Sequence, residues 1–287
     1  MNHQIERITQ ALKSRILPPH IFVKNEYKKR TGKSLNLKSP KKFSEKVQWL
    51  KLNYKNPILT KMADKVESKT IVEEKVGQEY VIPSYKVYRS ANEIKHSDLP
   101  NQFALKATHG SGWNIIKTDK DDITEKEIQE YFRFWLKKSY YNGSKEWAYK
   151  NIQPRVVCEE LIFNDDGSLP EDYKVYCFHG VPTYIQIDHG RFQNHTRSFY
   201  DTEWNKMPFS IGYPLEKEVA ERPVNFQKML EIATKLSDTL PFLRVDMYNT
   251  NGKIFVGELT CYPGNGLEKF SDEKWDTILG EKLNLPK

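Results

Sequence analysis

The chain has 287 residues, of which 38% are hydrophobic and 13% aromatic, enough apolar mass for one large or two modest packed domains. That composition excludes a disordered tail, and no run approaches the roughly 20 apolar residues of a membrane span. The net charge is +7, much of it in the first third at Lys24, Lys28, Lys29, Arg30, Lys33, Lys38, Lys41 and Lys42. This surplus is compatible with a polyanionic partner, with an anionic membrane surface, or with an ordinary solvated face. No nucleic-acid motif accompanies it, so no nucleic-acid partner is expected.

The first residues lack the apolar core of a signal peptide. Cys158, Cys177 and Cys261 form no CxxC, and they read as reduced, buried thiols of a cytoplasmic protein. The histidines show no zinc spacing.

Ile5, Ile8, Leu12 and Ile16 recur at helical spacing until Pro18-Pro19. Ser39-Pro40 predicts an N-cap with proline at the first helical position, opening a helix with Phe43, Val47 and Leu50 on one face. A further helix is predicted from Ala63 to Val76, with Gly77 beyond its end. Strands are predicted at Tyr80–Pro83, Tyr85–Tyr88 and Phe103–Lys106, with a Ser90/Glu93 capping box between them. Ile115–Lys117 reads as a returning strand. Thr124 and Glu127 form a capping box for a helix with Ile128, Phe132 and Trp135 on one face. Val156–Ile162 reads as a buried strand and its exit, and Tyr173–Ile187 as a hairpin turning at His179-Gly180. A helix around Phe226, Met229, Ala233 and Leu236 precedes a last hairpin. Helices interleaved with antiparallel hairpins, without repeated βαβ units, predict an α+β fold with a helical N-terminal part and a two-lobed body.

Two segments carry chemistry. In the first, Lys106 leaves an apolar strand for the loop His109-Gly110-Ser111-Gly112-Trp113. The glycines let backbone N–H groups approach phosphate oxygens, and the lysine can neutralise them; a tight hairpin turn uses the same residues. Gly32-Lys33-Ser34 resembles the end of a P-loop, but its first glycine is replaced by Tyr27, and Ile115 breaks a dinucleotide fingerprint.

The second segment is the hairpin Leu243–Thr260. A two-residue turn at Asn251-Gly252 pairs Asp246 with Gly257 and turns it away from Glu258. A three-residue loop, Thr250-Asn251-Gly252, instead sets Arg244 opposite Glu258 with Asp246 diagonal and Thr260 on the same face. Leu243, Val245, Phe255 and Leu259 then take the other. The second register gathers the polar groups and is the one expected. Two carboxylates on one face call for a cation, either a metal ion or the arginine in a cross-strand ion pair.

Taken in order, these pieces resemble the ATP-grasp superfamily, and most closely its teichuronopeptide-biosynthesis (TupA-like) branch. The likeness spans nearly the whole chain: Asn36–Leu50, Ala63-Asp64-Lys65, Tyr80–Pro83, Phe103–Gly112, Asp172-Tyr173-Lys174, Arg244-Val245-Asp246, Gly257–Thr260 and Tyr262-Pro263-Gly264. It implies an ATP-grasp fold, two α+β lobes clasping ATP behind a helical N-terminal region. The expected divisions are residues 1–78, the helical region and the start of the body; 79–158, the lobe with the glycine loop; and 159–287, the lobe with the metal-binding hairpin.

The resemblance also implies roles. Lys65 and Lys106 would reach the phosphates, with His109, Gly110, Ser111 and Gly112 as the covering loop. Glu159, Glu160 and Leu161 would form the hinge against adenine, and Asp172 would meet the ribose, with Lys174 also in the nucleotide set. Asp246 and Glu258 would bind one or two Mg²⁺ ions, for which Mn²⁺ can substitute. Thr260 stands where many such enzymes have asparagine as a metal ligand, a departure from the pattern at the second metal. Arg244 and Lys106 would act on the transferring phosphoryl group.

The implied activity is ATP-dependent carboxylate–amine ligation through an acyl phosphate. It would join an amino acid or other amine to a uronic-acid-type carboxylate on an anionic glycan or its precursor. That places the protein in the cytoplasm, with peripheral contact at the inner face of the membrane. A kinase on the same scaffold and a non-catalytic polyanion-binding module are the competing readings. Arg191 and Arg197 suit either phosphate or carboxylate binding or an ordinary surface role.

Overall fold

The computed structural model describes residues 16–118, 123–190 and 194–286. The N-terminal helical periodicity from Ile5 to Leu12, the position of Arg191, and residues 119–122 lie outside them.

Four helices open the described chain: α1 (Pro19–Thr31), α2 (Phe43–Asn53), α3 (Ile58–Ala63) and α4 (Glu67–Val76). Ile16 is the last helical residue before Leu17 and Pro18, and Pro19 then begins α1, as its fixed φ allows at a first position. Ser39-Pro40 does not cap α2, which starts at Phe43. Asn36 instead folds back on Lys38 N and Ser39 N at 3.1 and 3.0 Å, while Glu45 accepts from Lys41 N at 2.9 Å and Lys42 N at 3.2 Å. Glu45 thus takes the Lys42 N–H at the helix start and Asp276 takes Ser44 N at 2.8 Å, so the serine is not needed as a cap. Asp64 and Lys65 interrupt the helix expected from Ala63. The Asp64 carboxylate takes Val66 N at 2.9 Å, capping α4 and leaving Lys65 in the turn.

Tyr80–Pro83 is not a strand of a sheet. Gln78–Tyr80 is a 3₁₀ turn and Val81 makes a lone bridge to Val256. The first sheet comprises β1 (Ser84–Tyr88), β2 (Phe103–Ala107), β3 (Asn114–Lys117) and β4 (Val156–Glu159), in the order β1-β4-β2-β3, all antiparallel. On β2 the odd residues Phe103, Leu105 and Ala107 enter a core with Ile115, Val156 and Cys158. Helix α5 (Glu125–Leu136), opened by its Thr124/Glu127 box, adds Ile128 and Phe132 to that core. A short helix, α6 (Tyr140–Ser144), follows.

The second sheet is antiparallel, in the order β7-β6-β5-β8-β9, from β5 (Asp172–Phe178), β6 (Val181–His189), β7 (Thr196–Tyr200), β8 (Phe242–Thr250) and β9 (Lys253–Thr260). Val175, Cys177, Ile185, Leu243 and Val245 pack with Met229 and Ala233 of α7 (Phe226–Ser237). The opposite face is divided. At one end Tyr176, Phe178 and Phe242 cluster with Phe43 of α2, rings 5.1–6.4 Å apart; at the other lie Asp172, Lys174, Asp188 and Asp246, all buried. Helices α2–α4 and α8 (Glu273–Lys282) thus share the core of the second sheet.

Candidate active site

The two sheets face each other across a cavity of about 340 Å³. Its first wall begins with β2, where Ala104 and Lys106 point inward because strand residues alternate. Ile82, Ile116, Leu161, Ile162, Leu169, Pro170 and Tyr248 make an apolar lining around it. Lys65, Ser111 and Gly112 close one end, and Asp246, Gly257 and Glu258 come from the facing sheet.

Lys65 Nζ donates to Gly110 O at 2.6 Å, holding the glycine loop over the cavity. Burial, with Lys106 close by, lowers its pKa from the usual lysine value. Lys106 is paired with Glu159 at 2.5 Å, and Lys69 reaches the other oxygen of Glu159 at 3.1 Å. Burial opposes the charge on Glu159, but Lys106 and Lys69 more than offset it and hold its pKa below the usual range. Glu159 is therefore a counter-ion for two lysines. Only Glu160 and Leu161 of the expected hinge line the cavity, with Glu160 N donating to Pro83 O at 3.0 Å.

His109 does not face the cavity. Its ring is buried against Trp113, centroids 5.1 Å apart, with Nε2 3.1 Å from Trp135 O. It supports the loop from beneath. Gly110 has no room for a side chain, since a Cβ there would stand 2.4 Å from the Trp113 ring.

The terminal hairpin departs from the expected register. Asn251 and Gly252, with φ of 51° and 71°, form a two-residue turn that pairs Thr250 with Lys253. A bulge at Gly257 then shifts the ladder, so that Asp246 lies opposite Glu258 and Arg244 opposite Thr260. The polar groups share a face, as expected, but through the bulge rather than a longer turn. Phe255 pairs with Tyr248, toward the cavity, while Ile254, Val256 and Leu259 take the core side.

Arg244 clasps Asp246 with two bonds of 2.7 Å and donates to Thr260 Oγ1 at 3.2 Å. Burial pushes the Asp246 carboxyl up to about 6 against the pull of Arg244 and Lys174. Lys174 lies among Asp172, to which it bonds directly, Asp188 at 3.3 Å and Asp246 at 3.8 Å.

Arg197 is no surface arginine. It is 6% exposed and bonded to Asp188 at 2.6 Å and to Ile211 O, with Glu268 at 3.6 Å. The residue reading missed Lys69, Asp188 and the Asp64–Arg155 ion pair at 2.8 Å. Lys69 had one available signal, its place one helical turn after Lys65.

Among the described residues no cluster of three or more His, Cys, Asp or Glu side chains suits a metal. Asp246 and Glu258, facing each other on neighbouring strands, supply two hard oxygen donors. That fits Mg²⁺, which is commonly held by one or two carboxylates together with phosphates and water. A closed protein cage is not required.

The family model for TupA-like ATP-grasp proteins matches residues 45–284. The chain belongs to this family. Its fold is the ATP-grasp fold, with two α+β lobes around the cavity. Solved structures resemble it at low identity. A D-alanine–D-alanine ligase from Bacillus anthracis complexed with ATP is 18% identical, with a TM-score of 0.42, over 72% of this chain and 56% of that one. The ligase from Helicobacter pylori is 16% identical, with a TM-score of 0.49, over 85% and 69%. The ATP-grasp ligase PsnB complexed with its minimal precursor is 11% identical, with a TM-score of 0.45, over 84% and 66%. The chain thus spans little more than half the length of the Bacillus anthracis ligase. No curated protein matches the chain significantly.

Proposed function

We propose that this ATP-grasp protein is an ATP-dependent carboxylate–amine ligase that joins an amine, such as an amino acid, to a uronic-acid-type carboxylate. The observation that carries the ATP-using part is the cavity itself. It brings Lys65, Lys106 and the glycine loop of one lobe opposite Asp246 and Glu258 of the other, beside an apolar lining. Adenine lies against Ile82, Leu161, Leu169 and Tyr248, with Glu160 and Leu161 at the hinge and Asp172 toward the ribose. Lys65 and Lys106 neutralise the phosphates.

Asp246 and Glu258 would hold Mg²⁺, with Thr260 behind them, and the ion supplies charge neutralisation on the phosphates. Lys174 keeps the carboxylates of Asp172, Asp188 and Asp246 from repelling one another. Arg244, positioned by Asp246 and Thr260, offsets negative charge on the transferring phosphoryl group.

In the first step a substrate carboxylate oxygen bonds to the γ-phosphorus and the bond to the bridging oxygen breaks, releasing ADP. In the second an amine nitrogen attacks the acyl carbon, phosphate leaves with the bonding pair, and the nitrogen loses a proton. The loop at 110–112 excludes water that would hydrolyse the acyl phosphate. The family likeness supports an anionic cell-surface glycan or its precursor in the cytoplasm as the acceptor class.

The test is ADP release from Mg-ATP with pooled amino acids and a panel of uronic-acid glycans, each pool also supplied alone. ADP formed only when acid and amine are both present supports the ligase. ADP with glycan alone and a stable phosphorylated product would replace it with a kinase.

A further inference from the structure

The excess charge of this protein sits in one place. Residues 16–42 carry eight lysines and arginines against a single carboxylate, Glu26, a surplus equal to the +7 of the whole chain. Lys33 and Lys42 are held by Glu273. Lys24, Lys28, Lys29, Arg30, Lys38 and Lys41 have no acidic partner among the described residues, and all six are exposed.

Helix α1 gives this charge a direction. Phe22, Val23 and Tyr27 are buried and pack with Leu35 against Leu37, Leu52 and Leu267. At 100° per residue the opposite side of the helix is the ridge Ile21, Lys24 and Lys28, all exposed. Ile16, which precedes the helix beyond the non-helical Leu17 and Pro18, is 76% exposed. A helix whose inner face is seated in the protein therefore shows lysines outward, with Ile21 in its first turn and Ile16 exposed just before it.

We propose that the outward face of α1, with the lysines that follow it, is a docking surface for an anionic lipid bilayer. Lysines near such a surface each contribute about 1 kcal/mol of attraction. Exposed isoleucines beside them gain by entering the boundary between headgroups and acyl chains. A soluble polyanion would use the cations but give the isoleucines nothing to bury against, which favours the membrane. Lysines in the last turn of α1 also complement the helix dipole, but that does not account for Lys24, Lys38 or Lys41. The inference goes beyond the proposed reaction and does not depend on it.

The experiment is sedimentation of the full chain with vesicles of phosphatidylcholine alone and of phosphatidylcholine mixed with phosphatidylglycerol. Binding to the mixed vesicles only, falling as salt is raised, is the expected result. K24E/K28E should weaken it by at least about tenfold, and I16S/I21S should weaken it while leaving any binding to soluble polygalacturonate unchanged. These residues are exposed, so both variants should fold and bind ATP as the parent does. Failure of the parent to bind the mixed vesicles at low salt, or equal binding to both vesicle types, would overturn the proposal. So would unchanged vesicle binding in either variant. Binding to polygalacturonate without binding to vesicles would assign the surface to a soluble polyanion instead.

Discussion

Lys174 is buried and Lys106 half-buried on strands of the site, and their removal should be felt differently. Glu159, the partner of Lys106, also holds Lys69 at 3.1 Å, so Lys106→Met leaves that carboxylate paired. The variant should stay folded and lose ATP affinity by roughly tenfold or more, the worth of one hydrogen bond to a charged group, read by calorimetry. Lys174→Met instead leaves Asp172, Asp188 and Asp246 facing one another, with Asp246 still answered by Arg244 and Asp188 by Arg197. Breaking a buried ion pair from one side costs about 3–5 kcal/mol, and denaturant unfolding should show a loss of that order. Asp188 adds a pH test. Burial alone would raise its pKa, but Lys174 and Arg197 more than offset this and hold it below the usual carboxylate range. A carboxylate lowered in the native state contributes stability above its unfolded value of about 3.9, lost as pH falls through that value toward the native one. Asp188→Asn should therefore flatten the fall in stability below about pH 4; an unchanged slope would remove Asp188 from the acid response. Strand alternation and loop glycines, which are local signals, were enough to single out Lys106, Asp246 and Glu258, whereas Lys65 came only from the family resemblance. Lys69 and Asp188 were not, because each acquires meaning only from a partner on another element.

The elements show where local signals fail. The Ala63–Val76 periodicity continues through Asp64, yet the chain breaks there and makes two helices. Asp64 caps α4 and at the same time binds Arg155 at 2.8 Å, at the start of β4. A tertiary ion pair decides the break, and a helical pattern cannot show it. The turn it creates places Lys65 under the glycine loop. Asp64→Ala should cost about 2–4 kcal/mol through the lost cap and the weakened buried pair. It should also reduce ATP affinity, although Asp64 does not line the cavity. Asp64→Asn retains an acceptor suited to capping and should recover much of that affinity. If Asp64→Ala binds ATP like the parent, the turn does not position Lys65. In the β8–β9 hairpin the failure was different. Turn chemistry at Asn251-Gly252 correctly signals a two-residue turn, but the bulge at Gly257 that brings Asp246 opposite Glu258 has only a mid-strand glycine as its mark.

At the scale of the molecule, the proposed nucleotide site is a gap between two cores rather than a pocket within one. The residues around Leu105 and Phe132 form one core and those around Val175 and Met229 the other. Contacts such as Lys69–Glu159, Arg155–Asp64 and the lone Val81–Val256 bridge join elements built on the two sides. A ligand held by Lys106 on one sheet and by Asp246 and Glu258 on the other adds to that join. Binding to the native state alone stabilises it by about 2.7 kcal/mol at a concentration of 100 Kd. Mg-ATP should therefore raise the unfolding midpoint, and hydrogen exchange should slow on both sides of the gap, at the 110–112 loop and along β9. Helix α1, which packs beneath Leu52 and Leu267, should be little affected by local closure. Lys106→Met at the same nucleotide concentration should lose most of this protection in both lobes at once, because a clasp opened at one jaw no longer restrains the other. Protection that persists along β9 in that variant would mean that the second lobe holds the nucleotide by itself, and the two-sided arrangement would be wrong.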